Sequence, residues 1–122
     1  MGKSILIVDD SPSLRQMVAM TLEEAGYAVM QGADGKDALG KLGSKRVDLI
    51  ITDLNMPVMD GITFIKQIRT RAESKFTPIL MLTTESAAEK KAEGKAAGAT
   101  AWIVKPFERA KLLQAVDRLF LK

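Results

Sequence analysis

Asp9, Asp10, Asp53, Thr83 and Lys105 are the residues of this chain whose types could do chemistry together. Each closes a short apolar run. The run before Asp53 is the consecutive Leu49-Ile50-Ile51, the pattern of a strand buried on both faces. Any one of these polar residues alone reads as an ordinary loop residue. As a set they bring three carboxylates toward one edge, and two like charges ~4 Å apart at an effective dielectric of ~20 cost ~4 kcal/mol. Such a gathering requires counter-ions. Lys105 supplies one positive charge and a divalent cation supplies the remainder. The chain has no cysteine and no histidine, so a metal here must be held by oxygen. A few carboxylates with room for water suit Mg2+, with Mn2+ as a second option. Magnesium favours sites completed by a phosphate oxygen, and the Thr83 hydroxyl and Lys105 ammonium are donors to that same group. A carboxylate nucleophile beside a metal and a lysine accepts phosphoryl groups, which makes Asp53 the candidate for an acyl phosphate.

The elements that must position these residues are legible as punctuation. A strand is expected over Ser4–Val8, ending at Asp9-Asp10. Ser11-Pro12 then opens a helix as N-cap and first-turn proline, and Leu14, Met17, Val18, Leu22 and Ala25 repeat at helical spacing until Gly26 stops it. A second strand is expected over 27–31, and Asp34 caps a helix that runs to about Leu42 and is interrupted by Gly40. The central strand leads into Asp53, a loop carrying Met56-Pro57 follows, and Asp60 caps a helix over 61–71. A fourth strand is expected over 78–82. Ser86-Ala87-Ala88-Glu89 has the spacing of a capping box for a helix reaching Gly98. A fifth strand over Ala101–Val104 ends at Lys105-Pro106, and Leu112, Val116, Leu119 and Phe120 form the buried stripe of a last helix. Strand and helix alternate five times, which predicts a doubly wound α/β domain: a parallel sheet with helices on both faces and right-handed crossovers. Open sheets of that kind place ligands at the carboxyl ends of their strands, where Asp53 falls.

Composition narrows the possibilities. The 122 residues suit one domain able to bury a core, and 47% hydrophobic with 27% charged residues is the make-up of an ordinary globule. The net charge of +3 is spread along the chain without interleaved aromatics, which argues against a nucleic-acid interface. No apolar run approaches membrane-span length, and Asp9-Asp10 interrupts the first one too early for a secretory signal. Met1-Gly2 opens like a myristoylation site, but Leu6 stands where a Ser or Thr is required. A cytoplasmic monomer that avoids membranes and nucleic acid is expected.

Asp9-Asp10, Thr52-Asp53-Leu54-Asn55-Met56-Pro57, Asp60-Gly61, Thr83 and Lys105-Pro106 resemble the receiver domains of bacterial two-component response regulators, along the whole chain. With no output domain attached, the likeness is to the stand-alone chemotaxis regulators of the CheY type. That resemblance implies five strands in the order 2-1-3-4-5 with five helices. It implies that Asp53 is the phosphorylated residue. Asp10, Asp53 and the backbone carbonyl of Asn55 would ligate magnesium, with Asp9 acting mainly through a bound water. Lys105 would pair with the phosphoryl oxygens, Thr83 would swing inward to bond them, and Trp102 would follow into the vacated space. The Lys105-Pro106 bond would be cis. The donor would be the phosphohistidine of a sensor kinase. Output partners would be a flagellar motor component or another phosphorylation-sensing protein, and a dedicated phosphatase could act on the product. Such a protein is a signalling switch, and its only catalysis would be its own aspartyl phosphorylation and dephosphorylation. A single-domain phosphorelay intermediate is the alternative. Two positions depart from the family: Trp102 stands where tyrosine or phenylalanine is more usual, and Thr84 where a small residue is common.

Other residues admit two readings. Asn55 and Glu85 could steer a hydrolytic water or could be a turn former and a residue ahead of a cap. Trp102 could be a switch or a core aromatic, and Met56-Pro57 reads more simply as loop shaping. The helix over 86–98 is alanine-rich with Gly94 inside it, at a cost of ~1 kcal/mol, and is either a soft element suited to moving when Asp53 is modified or a poorly packed surface helix. Lys90, Lys91, Lys95, Arg109 and Lys111 could form a basic partner face or a solvated surface. A phosphatase of the haloacid dehalogenase type also uses an aspartate with magnesium. It requires an acid where Asn55 stands and a nucleophile after the first strand. A flavin carrier lacks its phosphate-cradling loop here, and a P-loop nucleotidase lacks its Gly-Lys-Ser/Thr motif.

Overall fold

The computed structural model describes residues 3–121. In chain order it contains β1 (Ser4–Val8), α1 (Pro12–Glu24), β2 (Ala28–Gly32), α2 (Gly35–Leu42), β3 (Leu49–Thr52), α3 (Gly61–Arg69), a 3-10 turn (Ala72–Ser74), β4 (Ile79–Thr83), α4 (Ala88–Ala97), β5 (Ala101–Val104) and α5 (Arg109–Phe120). The strands form one parallel sheet in the order β2-β1-β3-β4-β5, so the doubly wound α/β fold and its strand order are as expected.

The continuous apolar runs are explained by two cores, one on each face. Leu6, Val8, Ile50, Ile79 and Met81 point to one side, where Ala38 and Leu42 of α2 and Ile62, Phe64, Ile65 and Ile68 of α3 cover them. Ile5, Ile7, Leu49, Ile51, Leu80 and Leu82 point to the other, under Val18 and Leu22 of α1 and Leu112, Val116 and Leu119 of α5. Adjacent residues of a strand serve opposite cores, which is why alternation with polar residues is absent.

Three helix starts follow their capping residues: Ser11 Oγ accepts from Leu14 N–H at 3.4 Å, Asp34 from Asp37 at 2.8 Å and Asp60 from Thr63 at 2.8 Å. The expected Ser86 capping box does not form. The cap position of α4 is Ala87, which makes no side-chain capping bond, and the helix begins at Ala88. In the loop before the helix the Glu85 carboxylate accepts from Ala87 N–H at 3.3 Å. The loop is held short of Ser86 by Thr83, whose hydroxyl accepts from Glu85 N–H at 3.3 Å. Strands β2 and β4 each lie one residue further along than expected, and α3 ends at Arg69 rather than 71. The Arg69 guanidinium turns to the carbonyls of Ser74, Thr77 and Gly98, at 3.0, 2.6 and 2.7 Å, binding the α3–β4 connection to the end of α4. Among the described residues no helix is long and apolar enough to cross a membrane.

Candidate functional site

Parallel register decides which strand ends meet. Val8 pairs with Thr52, so Asp9 and Asp53 leave neighbouring strands at the same level, and Asp53 N–H donates to Val8 O at 3.0 Å. Thr83 ends β4 opposite Val104 of β5, immediately before Lys105. One carboxylate oxygen from each of Asp9, Asp10 and Asp53 lies within 4.8 Å of the other two. Asp9 and Asp53 are only 4% and 7% exposed, whereas Asp10 faces solvent at the mouth.

Each buried acid divides its two oxygens in the same way. Asp9 Oδ1 accepts from Ser11 N–H at 2.9 Å, and its Oδ2 lies 2.8 Å from Lys105 Nζ. Asp53 Oδ1 accepts from Leu54 N–H at 2.6 Å and from Asn55 N–H at 3.4 Å, while its Oδ2 lies 3.0 Å from the same ammonium. Burial pulls the Lys105 ammonium down, but its hydrogen bonds to Asp9 and Asp53 and their charges outweigh this and hold its pKa above the ordinary lysine value. Three carboxylates face one ammonium inside the corner, with the Arg15 guanidinium outside it on the Asp9 backbone carbonyl, so the corner is short of positive charge. That deficit and the all-oxygen donor set fit one hard divalent cation. The Lys105-Pro106 peptide bond is cis.

The remaining candidates fall into place around this corner. Thr83 is fully buried, and its hydroxyl is engaged by Glu85 N–H. Trp102 is half-buried on β5, and its indole N–H donates to Glu85 O at 3.0 Å, so Thr83, Glu85 and Trp102 form one connected set. Thr84 is exposed. The five basic residues do not form a single free face. Lys90 pairs with Glu93 at 3.4 Å, Lys111 with Glu108 at 3.8 Å, and Arg109 turns away to Glu24 on α1. Lys91 and Lys95 line a groove of ≈ 250 Å³ beside Trp102, and Lys111 lines another of ≈ 350 Å³.

Three contributors escape a reading by residue type. Arg15 donates to Asp9 O at 2.6 Å and to Gln31 at 3.1 Å, fixing the backbone at the first acid pair; its only signal is a base one turn into the helix that follows. Gly61 has no room for a methyl, which would collide with the Asp53 carbonyl, so α3 begins hard against the site. Val58 adopts φ +70 at the centre of a three-residue turn, with Met59 N–H donating to Pro57 O at 2.7 Å.

A doubly wound sheet whose first, third and fifth strands converge two acid positions and a lysine on one edge defines a receiver-type domain. The family model of the response regulator receiver domain matches residues 5–117, and the chain belongs to that family. It is 42% identical over 117 residues to chemotaxis protein CheY-3 of Vibrio cholerae, covering 95% of this chain and 90% of that protein. Among solved structures, chemotaxis protein CheY4 of Vibrio cholerae is 55% identical with a TM-score of 0.93, covering 98% of this chain and 99% of that one. The receiver domain of the Pseudomonas aeruginosa sensor histidine kinase PA1611, solved with a magnesium ion coordinated in its active-site cleft, is 30% identical with a TM-score of 0.91 and full coverage of both chains.

Proposed function

We propose that this chain is a phosphorylation-dependent switch of a two-component system, with Asp53 as the phosphoryl acceptor. The observation that carries the reading is the single ammonium of Lys105 bridging the buried Asp9 and Asp53 beside a third carboxylate. An Asp53 oxygen attacks phosphorus, the P–N bond of a phosphohistidine donor breaks as the P–O bond forms, and the departing imidazole takes up a proton. Lys105, already aimed at Asp53, offsets charge on the phosphoryl oxygens. Magnesium would be held by Asp10, Asp53 and the Asn55 carbonyl, with Asp9 acting through water, and would supply the positive charge that draws the phosphoryl group to the acids. The magnesium held by the related Pseudomonas receiver domain supports that choice of ion. Thr83 donates to the new phosphoryl oxygens, giving up its bond from Glu85, and Trp102 responds through the Glu85 carbonyl that it holds.

The partners are a sensor histidine kinase and an output protein that reads the modified form. The chemotaxis relatives favour a component of the flagellar motor, in the cytoplasm. The test is direct: acetyl phosphate with magnesium labels the wild type on one site, and Asp53→Ala takes up nothing. Labelling of Asp53→Ala at the wild-type level would refute the assignment.

A further inference from the structure

We propose that Gly94 is a positioning residue for Trp102: the absent side chain on α4 forms the seat in which the indole lies. A Cβ built at Gly94 would stand 2.6 Å from Cζ3 of Trp102, with Cη2 and Cε3 at 3.5 and 3.6 Å. Gly94 is also the buried residue of α4. It sits inside a regular helix, where glycine is among the poorest choices and no unusual backbone angle calls for it. Space explains it. A tryptophan on β5 needs more room beneath α4 than a single-ring aromatic, and the glycine provides that room.

The ring is gripped at two edges. Its six-membered part rests on Gly94, and its N–H is tied to Glu85 O at 3.0 Å. Trp102 also lines both grooves, of ≈ 350 and ≈ 250 Å³. The two ends of α4 are held unequally. Beyond its C-terminus, Gly98 O accepts from Arg69 at 2.7 Å and Thr100 Oγ1 accepts from Ile79 N–H at 3.0 Å. At its N-terminus Ala87 provides no side-chain cap. In the proposed switch, lifting this less firmly held end would take Gly94 off the indole. The link to signalling rests on the proposed switch role of Trp102, while the seat does not.

The test is Gly94→Ala in the full chain, read through the fluorescence of its one tryptophan. The methyl should drive the ring outward, moving emission to longer wavelength and raising acrylamide quenching about twofold, as an indole edge passes from packed surroundings to water. Far-ultraviolet circular dichroism should be unchanged, since alanine favours helix. The rescue is Trp102→Phe: in that background Gly94→Ala should raise the melting temperature, whereas in the tryptophan background it should not. Unchanged emission and quenching in Gly94→Ala, or an equal rise in melting temperature in both backgrounds, would overturn the seat. Magnesium with beryllofluoride, a mimic of the aspartyl phosphate, separates the two ideas. If it leaves wild-type emission unaltered while Gly94→Ala still expels the ring, the seat stands and the switch role of Trp102 falls.

Discussion

Among the described residues Val58 is the non-glycine residue with a positive φ, and relieving it should stabilise the protein. Its φ of +70 lies in the left-handed region, and a β-branched residue there is a genuine outlier. The left-handed conformation costs an L-residue ~1–2 kcal/mol, and three-residue turns of this hand are rare and strained. The side chain is 76% exposed, so replacing it loses little burial. Val58→Gly removes the strain but adds ~0.5–1 kcal/mol of chain entropy to the unfolded state, for a net gain of ~0.5–1 kcal/mol. Val58→Asn avoids most of that entropy and tolerates the conformation, so it should gain ~1 kcal/mol, or ~3–5 °C in a domain of this size. Val58→Ala keeps a Cβ at positive φ and should change stability much less. Urea denaturation of the three variants with and without magnesium is the assay. If alanine matches glycine and asparagine, or if none of them is more stable than wild type, the turn is not strained.

Two further outcomes follow from the charges. Lys105→Met leaves Asp9 and Asp53 buried without their shared cation, and removing one partner from such a set typically costs ~3–5 kcal/mol. Magnesium should then raise the melting temperature of the variant more than that of wild type, and an equal rise in both would contradict the charge deficit assigned to the site. Tyr27 is pushed up to about 12 by burial, by its hydrogen bond to Asp117 and by the charge of that acid. A folded pKa above the unfolded value of about 10 means that unfolding releases a proton in that window. This contribution is fully present below about pH 10 and is lost as pH rises toward about 12. Tyr27→Phe should therefore be less stable than wild type at neutral pH, with the difference shrinking between those values in a denaturant series; a constant difference would contradict it.

Much of the architecture was legible because it is local. Ser11-Pro12, Asp34 and Asp60 cap the helices at which they stand, and apolar runs too short for helices became strands. The acids and the lysine could be grouped because parallel strands all end on the same edge. Ser86 misled because a capping box is only a spacing, and a competing local bond from Glu85 N–H to the Thr83 hydroxyl holds the preceding loop. Gly94 read as weakness in a helix, since the tryptophan that fills the space above it lies on another strand. For Arg109 a basic face and a solvated surface both stayed open, because its partner Glu24 lies 85 residues away. Val58 carried no signal at all, as nothing in its neighbours announces a left-handed turn.

The distribution of burial decides where a change at Asp53 can be felt. Helix α3 starts against the Asp53 carbonyl, yet it buries Ile62, Phe64, Ile65 and Ile68. At ~1.5–3 kcal/mol for each large apolar side chain, that anchorage is ~6–12 kcal/mol. Helix α5 keeps Leu112, Val116 and Leu119 buried, and α1 keeps Val18 and Leu22. Helix α4 buries Gly94 and none of its own large side chains. One unit charge added ~4 Å from another at an effective dielectric of ~20 is worth ~4 kcal/mol. A perturbation of that size is small against the burial that anchors α3, whereas α4 has no large apolar side chain of its own: Ala97 packs on the core beside α3, Gly94 seats one ring, and Arg69 and Trp102 each add a hydrogen bond near its ends. In the switch we propose, proximity to the acids would not choose the responding element: weak anchorage would, and it favours α4 and the tryptophan lodged against it.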